Sequence, residues 1–149
     1  MRILFVAAAL STVFIAGAAA AQNPSAAAAF GATSARSGFT PDPLTISLAS
    51  GGPVDATRLG GACVGMIGAA PDYEFTYTAG SYPLSFQVQS QGDTSLVING
   101  PDGRWYCVDD SSGLNPILTW NRPSSGSYDV WVGAVGQAAP ATLYITETP

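Results

Sequence analysis

The chain has no histidine and no lysine, and Asp, Glu and Arg together make up only 10% of its 149 residues. Without an imidazole or an amine, no side chain can take the hydroxyl proton in a Ser-His-Asp or Ser-Lys mechanism. None is present to hold a cysteine as thiolate either, so those routes of nucleophilic hydrolysis are excluded. The five cations are all arginine (Arg2, Arg36, Arg58, Arg104 and Arg122), against ten acids, and the net charge is −5. With no basic cluster to release counterions from a phosphate backbone, nucleic acid is excluded as a partner. Two cysteines without histidine are too few soft ligands for zinc. The only glutamates are Glu74 and Glu147, and nothing places a pair of acids in a sugar-binding cleft. The chain therefore reads as noncatalytic, and with 47% hydrophobic residues it is not an acidic disordered tail.

Long apolar runs are also scarce: there is one, Ile3 to Ala16, broken only by Ser11 and Thr12. It follows a single positive charge at Arg2 and precedes the small residues Ala18 to Ala21, the order of a secretory signal peptide. As a helix the run spans roughly 21 Å, short of the ~30 Å hydrocarbon thickness that a permanent anchor crosses. The expectation is cleavage after Ala20 or Ala21, a secreted or periplasmic product, and no membrane contact after cleavage. Residues 22–149 then carry four Arg against ten acids, a net charge of −6. Residues 22–43 are Ala, Ser, Gly, Thr and Pro with few large apolar side chains, and read as a flexible leader. Residues 44–149 read as one domain, large enough to bury a core without a metal.

Export puts Cys63 and Cys107 in an oxidising compartment, where one intramolecular pairing is available to them, and a disulfide is expected. Apolar residues alternate with polar ones at Leu44/Ile46/Leu48, Tyr73/Phe75/Tyr77 and Leu84/Phe86/Val88. Further strands are expected over Ser95–Ile98, Trp105–Val108, Ile117–Trp120, Tyr128–Val132 and Thr142–Thr146. Turn formers separate them: Asn99-Gly100, Pro101-Asp102-Gly103 and Ser124-Ser125-Gly126. About eight short antiparallel strands predict an all-β sandwich or jelly roll. Pro-Asp recurs at 41, 71 and 101, which is turn chemistry, because the residues that follow do not match one another.

The run Asp93-Thr94-Ser95-Leu96-Val97-Ile98, then Pro101-Asp102-Gly103, Asp109-Asp110, and Pro123-Ser124-Ser125-Gly126-Ser127-Tyr128-Asp129-Val130-Trp131-Val132 resembles the bacterial pre-peptidase C-terminal domain. The resemblance implies a jelly-roll-like β-sandwich of secreted proteins, often joined to peptidases, so a secreted peptidase is an expected partner. The chain departs from the family's Asn-Asp-Asp form with Val108 before the acidic pair.

Two sets of residues are candidates for function. Asp93, Asp109 and Asp110 offer the hard oxygen ligands that calcium prefers, with Asp102 and the carbonyls of 111–115 nearby in sequence. The alternative is that Asp93 and Asp110 are turn caps. Asp109 and Asp110 point oppositely within a strand and share a cation only if the strand ends before them. No cofactor is required on this reading, and calcium is the one candidate. In Tyr128–Val132, alternation sends Tyr128, Val130 and Val132 to the core and turns Trp131 outward or under a loop, while Trp105 shares a face with Cys107. Trp105, Trp120 and Trp131 are thus candidate exposed aromatics for stacking on a cell-surface polysaccharide or anchoring a protein partner. Alternatively they cap the ends of the sandwich. A third reading, self-assembly into surface structures through strand edges, fits the low charge and many strands.

Overall fold

The computed structural model describes residues 21–111 and 113–149; the expected signal peptide, Ala21 apart, lies outside them. The described residues form an all-β sandwich of a seven-stranded and a four-stranded sheet, with one 3-10 turn at Ala56–Leu59 and no α-helix. Eight strands lie where the alternation predicts them: β2 (Leu44–Ala49), β5 (Tyr73–Thr78), β6 (Leu84–Ser90), β7 (Thr94–Asn99), β8 (Trp105–Val108), β9 (Ile117–Trp120), β10 (Gly126–Ala134) and β11 (Pro140–Thr146). Three more, β1 (Ala32–Arg36), β3 (Val54–Asp55) and β4 (Met66–Ile67), are too short or too poor in large side chains to show a period.

The smaller sheet runs β2-β11-β6-β9, all antiparallel. In the larger, β10 is central: β7 follows one edge from Asp129 to Ala134 and carries β8 outside it. β5 takes the other edge from Gly126 to Val130, and β4 takes over at Ala134. Between β5 and β4, Val132 has no strand partner on that side. Its N–H donates to Asp72 Oδ2 at 2.7 Å, and its carbonyl accepts from Gly51 N at 2.9 Å, so a buried carboxylate closes the gap in the ladder. Burial pushes the Asp72 carboxyl up to about 7, against the lowering effect of that hydrogen bond.

The inner faces of the two sheets meet in one core, to which Phe75, Tyr77, Phe86, Leu96, Tyr128 and Leu143 contribute fully buried side chains. The outward side of the larger sheet carries a second, smaller core. There Val97, Trp131 and Cys107 are covered by the segment from Val54 to Ile67, which supplies Val54, Ala56, Cys63 and Ile67. The Cys63–Cys107 disulfide fastens this strap to β8. Gly133 lets it lie close: a Cβ there would collide with Ser95 Oγ and press on Ile67.

The assignment of residues 22–43 to a flexible leader is corrected by β1, which pairs in parallel with β5 from Ala32↔Glu74 to Arg36↔Thr78. This is the single parallel pairing among otherwise antiparallel ones in the described residues. Small residues suffice because main-chain bonds hold the strand. Ahead of it, Ala29 N and Phe30 N donate to the carbonyls of Pro71 and Asp72. After it, Phe39 packs edge-on against Phe75 with centroids 5.7 Å apart. Glu147, nearly fully buried, accepts from Tyr77 Oη and from Gly38 N at 2.7 Å, and its own N–H donates to Asp42 at 3.2 Å. Burial, then the Glu147 carboxylate, pushes the Tyr77 hydroxyl up to about 12.

Candidate metal centre

β8 ends at Val108 and β7 begins at Thr94, so Asp109, Asp110 and Asp93 all lie just beyond the ends of two paired strands. That is the condition under which adjacent aspartates escape the opposed directions of the pleat. The three carboxylates converge: one oxygen from each lies within 4.8 Å of the other two. Asp93 Oδ1 and Asp109 Oδ1 are buried and have no hydrogen-bond partner. Burial, followed by the charges of Asp110 and Asp93, raises the Asp109 carboxyl above the usual range. Three like charges turned toward one point, two of them with unsatisfied buried oxygens, are costly, and either a proton on Asp109 or a cation among them relieves that cost.

The donor set is all hard oxygen, which suits calcium rather than a softer metal. The nearby main chain contributes less than its sequence position promises. Leu114 O accepts from Thr94 N at 3.1 Å, and Asn115 O accepts from Ser111 N at 3.4 Å, so those carbonyls already hold the loop to β7 and to itself. A calcium ion here would complete its six to eight ligands mainly with second carboxylate oxygens and water. Asp102 is separate from the cluster. It accepts from Tyr106 Oη at 2.7 Å and from Arg104 N at 3.1 Å, and these two hydrogen bonds hold its carboxyl below the usual range.

The candidate aromatics part ways. Alternation along β10 is as expected, with Tyr128, Val130 and Val132 in the main core and Trp131 on the other face. Trp131 is nevertheless fully buried, because the strap covers it, and is corrected as an exposed binding residue. Trp105 is half-buried beside it, with ring centroids 5.2 Å apart. Trp120 is half-buried against Phe86, Tyr106 and Tyr128, closing the end of the main core. These three rings do not form an exposed row. The missed covering strap has a thin signal in sequence: Cys63, whose disulfide requires some part of that segment to reach β8.

Among the described residues no helix is long and apolar enough to cross a membrane. No protein-family model matches the chain, that of the pre-peptidase C-terminal domain included, and no curated protein matches it. Among solved structures, PliG of Aeromonas hydrophila, a periplasmic inhibitor of g-type lysozyme, is similar over 78% of this chain and 96% of that chain, at 15% identity and a TM-score of 0.40. A likeness at that level carries no conclusion about function.

Proposed function

We propose that this chain is an exported, noncatalytic β-sandwich module that acts by contact with a cell-surface polysaccharide or a protein partner, and that calcium held by Asp93, Asp109 and Asp110 fixes one end of the sandwich. The observation that carries the metal is the pair of buried, unpartnered oxygens on Asp93 and Asp109 within a cluster of three carboxylates. Export is supported by the disulfide, a bond characteristic of oxidising compartments, and by the apolar run at the N-terminus. The noncatalytic reading is supported by the absence of His and Lys. It also fits the setting of Asp72, the buried carboxyl raised to about 7, which is engaged in closing the ladder of β10. Cleavage of peptides by the purified chain would refute this reading, and cosedimentation with insoluble cell-wall polysaccharide tests the polymer branch of it.

Thermal unfolding tests the calcium. At a hundredfold excess over Kd, a ligand specific for the folded state raises Tm by about 10 °C for a chain of this size. Asp109→Asn removes one ligand charge and also relieves repulsion. The variant is therefore expected to melt higher than the wild type in chelator and lower than it in calcium. The same ranking in both conditions would count against the site.

A further inference from the structure

We propose that the edge of β1 away from β5, which no described strand pairs, is a self-association edge, at which a second copy of this chain pairs antiparallel about a two-fold axis at Ser34 and joins two seven-stranded sheets into one. Glu74 N donates to Gly31 O at 3.2 Å and Ser37 N donates to Thr78 O at 2.9 Å. Together with the parallel register, these bonds turn the main-chain groups of the odd-numbered residues of β1 toward β5. The N–H and C=O groups of Ala32, Ser34 and Arg36 therefore face away from the sheet, and all three residues are exposed. Natural edges are usually blunted by Lys, Pro, a bulge or a covering loop. β1 contains neither Lys nor Pro, pairs with β5 without a bulge, and carries a single charge, Arg36, at its last residue. Beside it runs an open groove of about 530 Å³, lined by Phe39, Pro41 and Leu44 together with Thr33, Thr40 and Thr78.

The occupant is set by register and charge. When two copies of β1 cross antiparallel at Ser34, Ala32 faces Arg36 of the second copy. The three residues with outward main-chain groups then face one another as hydrogen-bonded pairs. Thr33 and Ala35, on the inner side of the strand, form part of the mixed polar and apolar lining of the groove. Arg36 has no carboxylate partner among the described residues, where the one ion pair is Arg104–Asp102. Ala32 is the register neighbour of Glu74 on β5. The crossing therefore brings each Arg36 to within two strand spacings, about 10 Å, of Glu74 of the other copy, a span that two long side chains close. The contact is self-complementary and satisfied in a pair, so it closes as a dimer. An unrelated peptide would add to the same edge without supplying Glu74.

Sedimentation equilibrium of the purified chain from micromolar to millimolar concentration tests this, and a reversible monomer–dimer equilibrium is expected. Ser34→Pro removes an N–H that points away from β5, so the fold is retained, while both symmetry-related bonds at the axis are lost. The dimer dissociation constant should rise roughly thirtyfold, with the thermal unfolding temperature unchanged at concentrations where both proteins are monomeric. Arg36→Glu and Glu74→Arg should each weaken the dimer, and the two together should restore it. A chain that stays monomeric throughout, a dimer indifferent to Ser34→Pro, or a double variant no better than either single one would overturn the proposal, as would a foreign peptide copurifying on this edge.

Discussion

Removing the disulfide by Cys63→Ser with Cys107→Ser is expected to lower the unfolding free energy by about 4 kcal/mol, the loop-closure entropy of a bridge across 44 residues. Against a usual net stability of roughly 5–15 kcal/mol, this is a large fraction of what holds the fold. The physical consequence is local as well as global. Besides its packing on Val97 and Trp131 and the Ser95 Oγ–H donated to Val64 O at 2.7 Å, the strap from Val54 to Ile67 is held by two-residue strands, β3 and β4, and a short turn, and β4 meets β10 at a single residue pair, Ala134↔Met66. Without its bridge the cover over Trp131 loosens and water reaches the indole. Urea denaturation followed by tryptophan emission reads both effects. The folded variant should emit to the red of the wild type, from Trp105 and Trp131, while Trp120 keeps its place against the main core. Unchanged emission and stability would mean that the strap holds by packing alone.

The second large effect concerns Asp72. Its folded pKa, about 7, lies above the ordinary value of 3.8, so on raising the pH the unfolded chain gives up this proton first. The folded state binds more protons between those values, and stability falls as pH rises from about 4 to about 7, then levels. The shift corresponds to roughly 4 kcal/mol. Asp72→Asn keeps an acceptor for the Val132 N–H and removes the charge. It should match the wild type near pH 4 and exceed it by up to about that amount at pH 8. The variant retains a smaller decline up to about pH 6 that belongs to Asp129, whose carboxyl is pushed up to about 6 by burial and then by its neighbour Glu74. Asp72→Ala is predicted to behave differently, because it leaves the buried Val132 N–H without an acceptor at a cost of about 1–3 kcal/mol. Denaturation at several pH values separates the three proteins, and parallel curves for wild type and Asp72→Asn would refute the assignment.

Sequence made the sandwich legible wherever large apolar residues alternate with polar ones, and that was enough for β2, β5 and β6 and for the inward face of β10. It failed at β1, where Ala-Thr-Ser-Ala-Arg gives a period too weak to see and the strand depends on a partner 42 residues away. The fate of Trp131 was half legible. Alternation put it on the outward side of its sheet, but whether that side meets water depends on tertiary covering by residues 54–67, which have no period of their own. The acidic centre was legible through residue chemistry and one local condition, the end of β8 before Asp109. Its neighbouring carbonyls were misjudged because the loop spends them on its own hydrogen bonds. The buried pair Asp72 and Glu147 was not legible as such: a carboxylate that plugs a gap in a ladder or caps a tyrosine hydroxyl has the same sequence signature as a surface acid.

The most direct test of the calcium-held module is isothermal titration of the oxidised chain with calcium, run beside Asp109→Asn. The account predicts one ion per chain for the wild type, and its loss in the variant with the fold retained. No heat of binding in the wild type, or binding that the variant keeps unchanged, would contradict it.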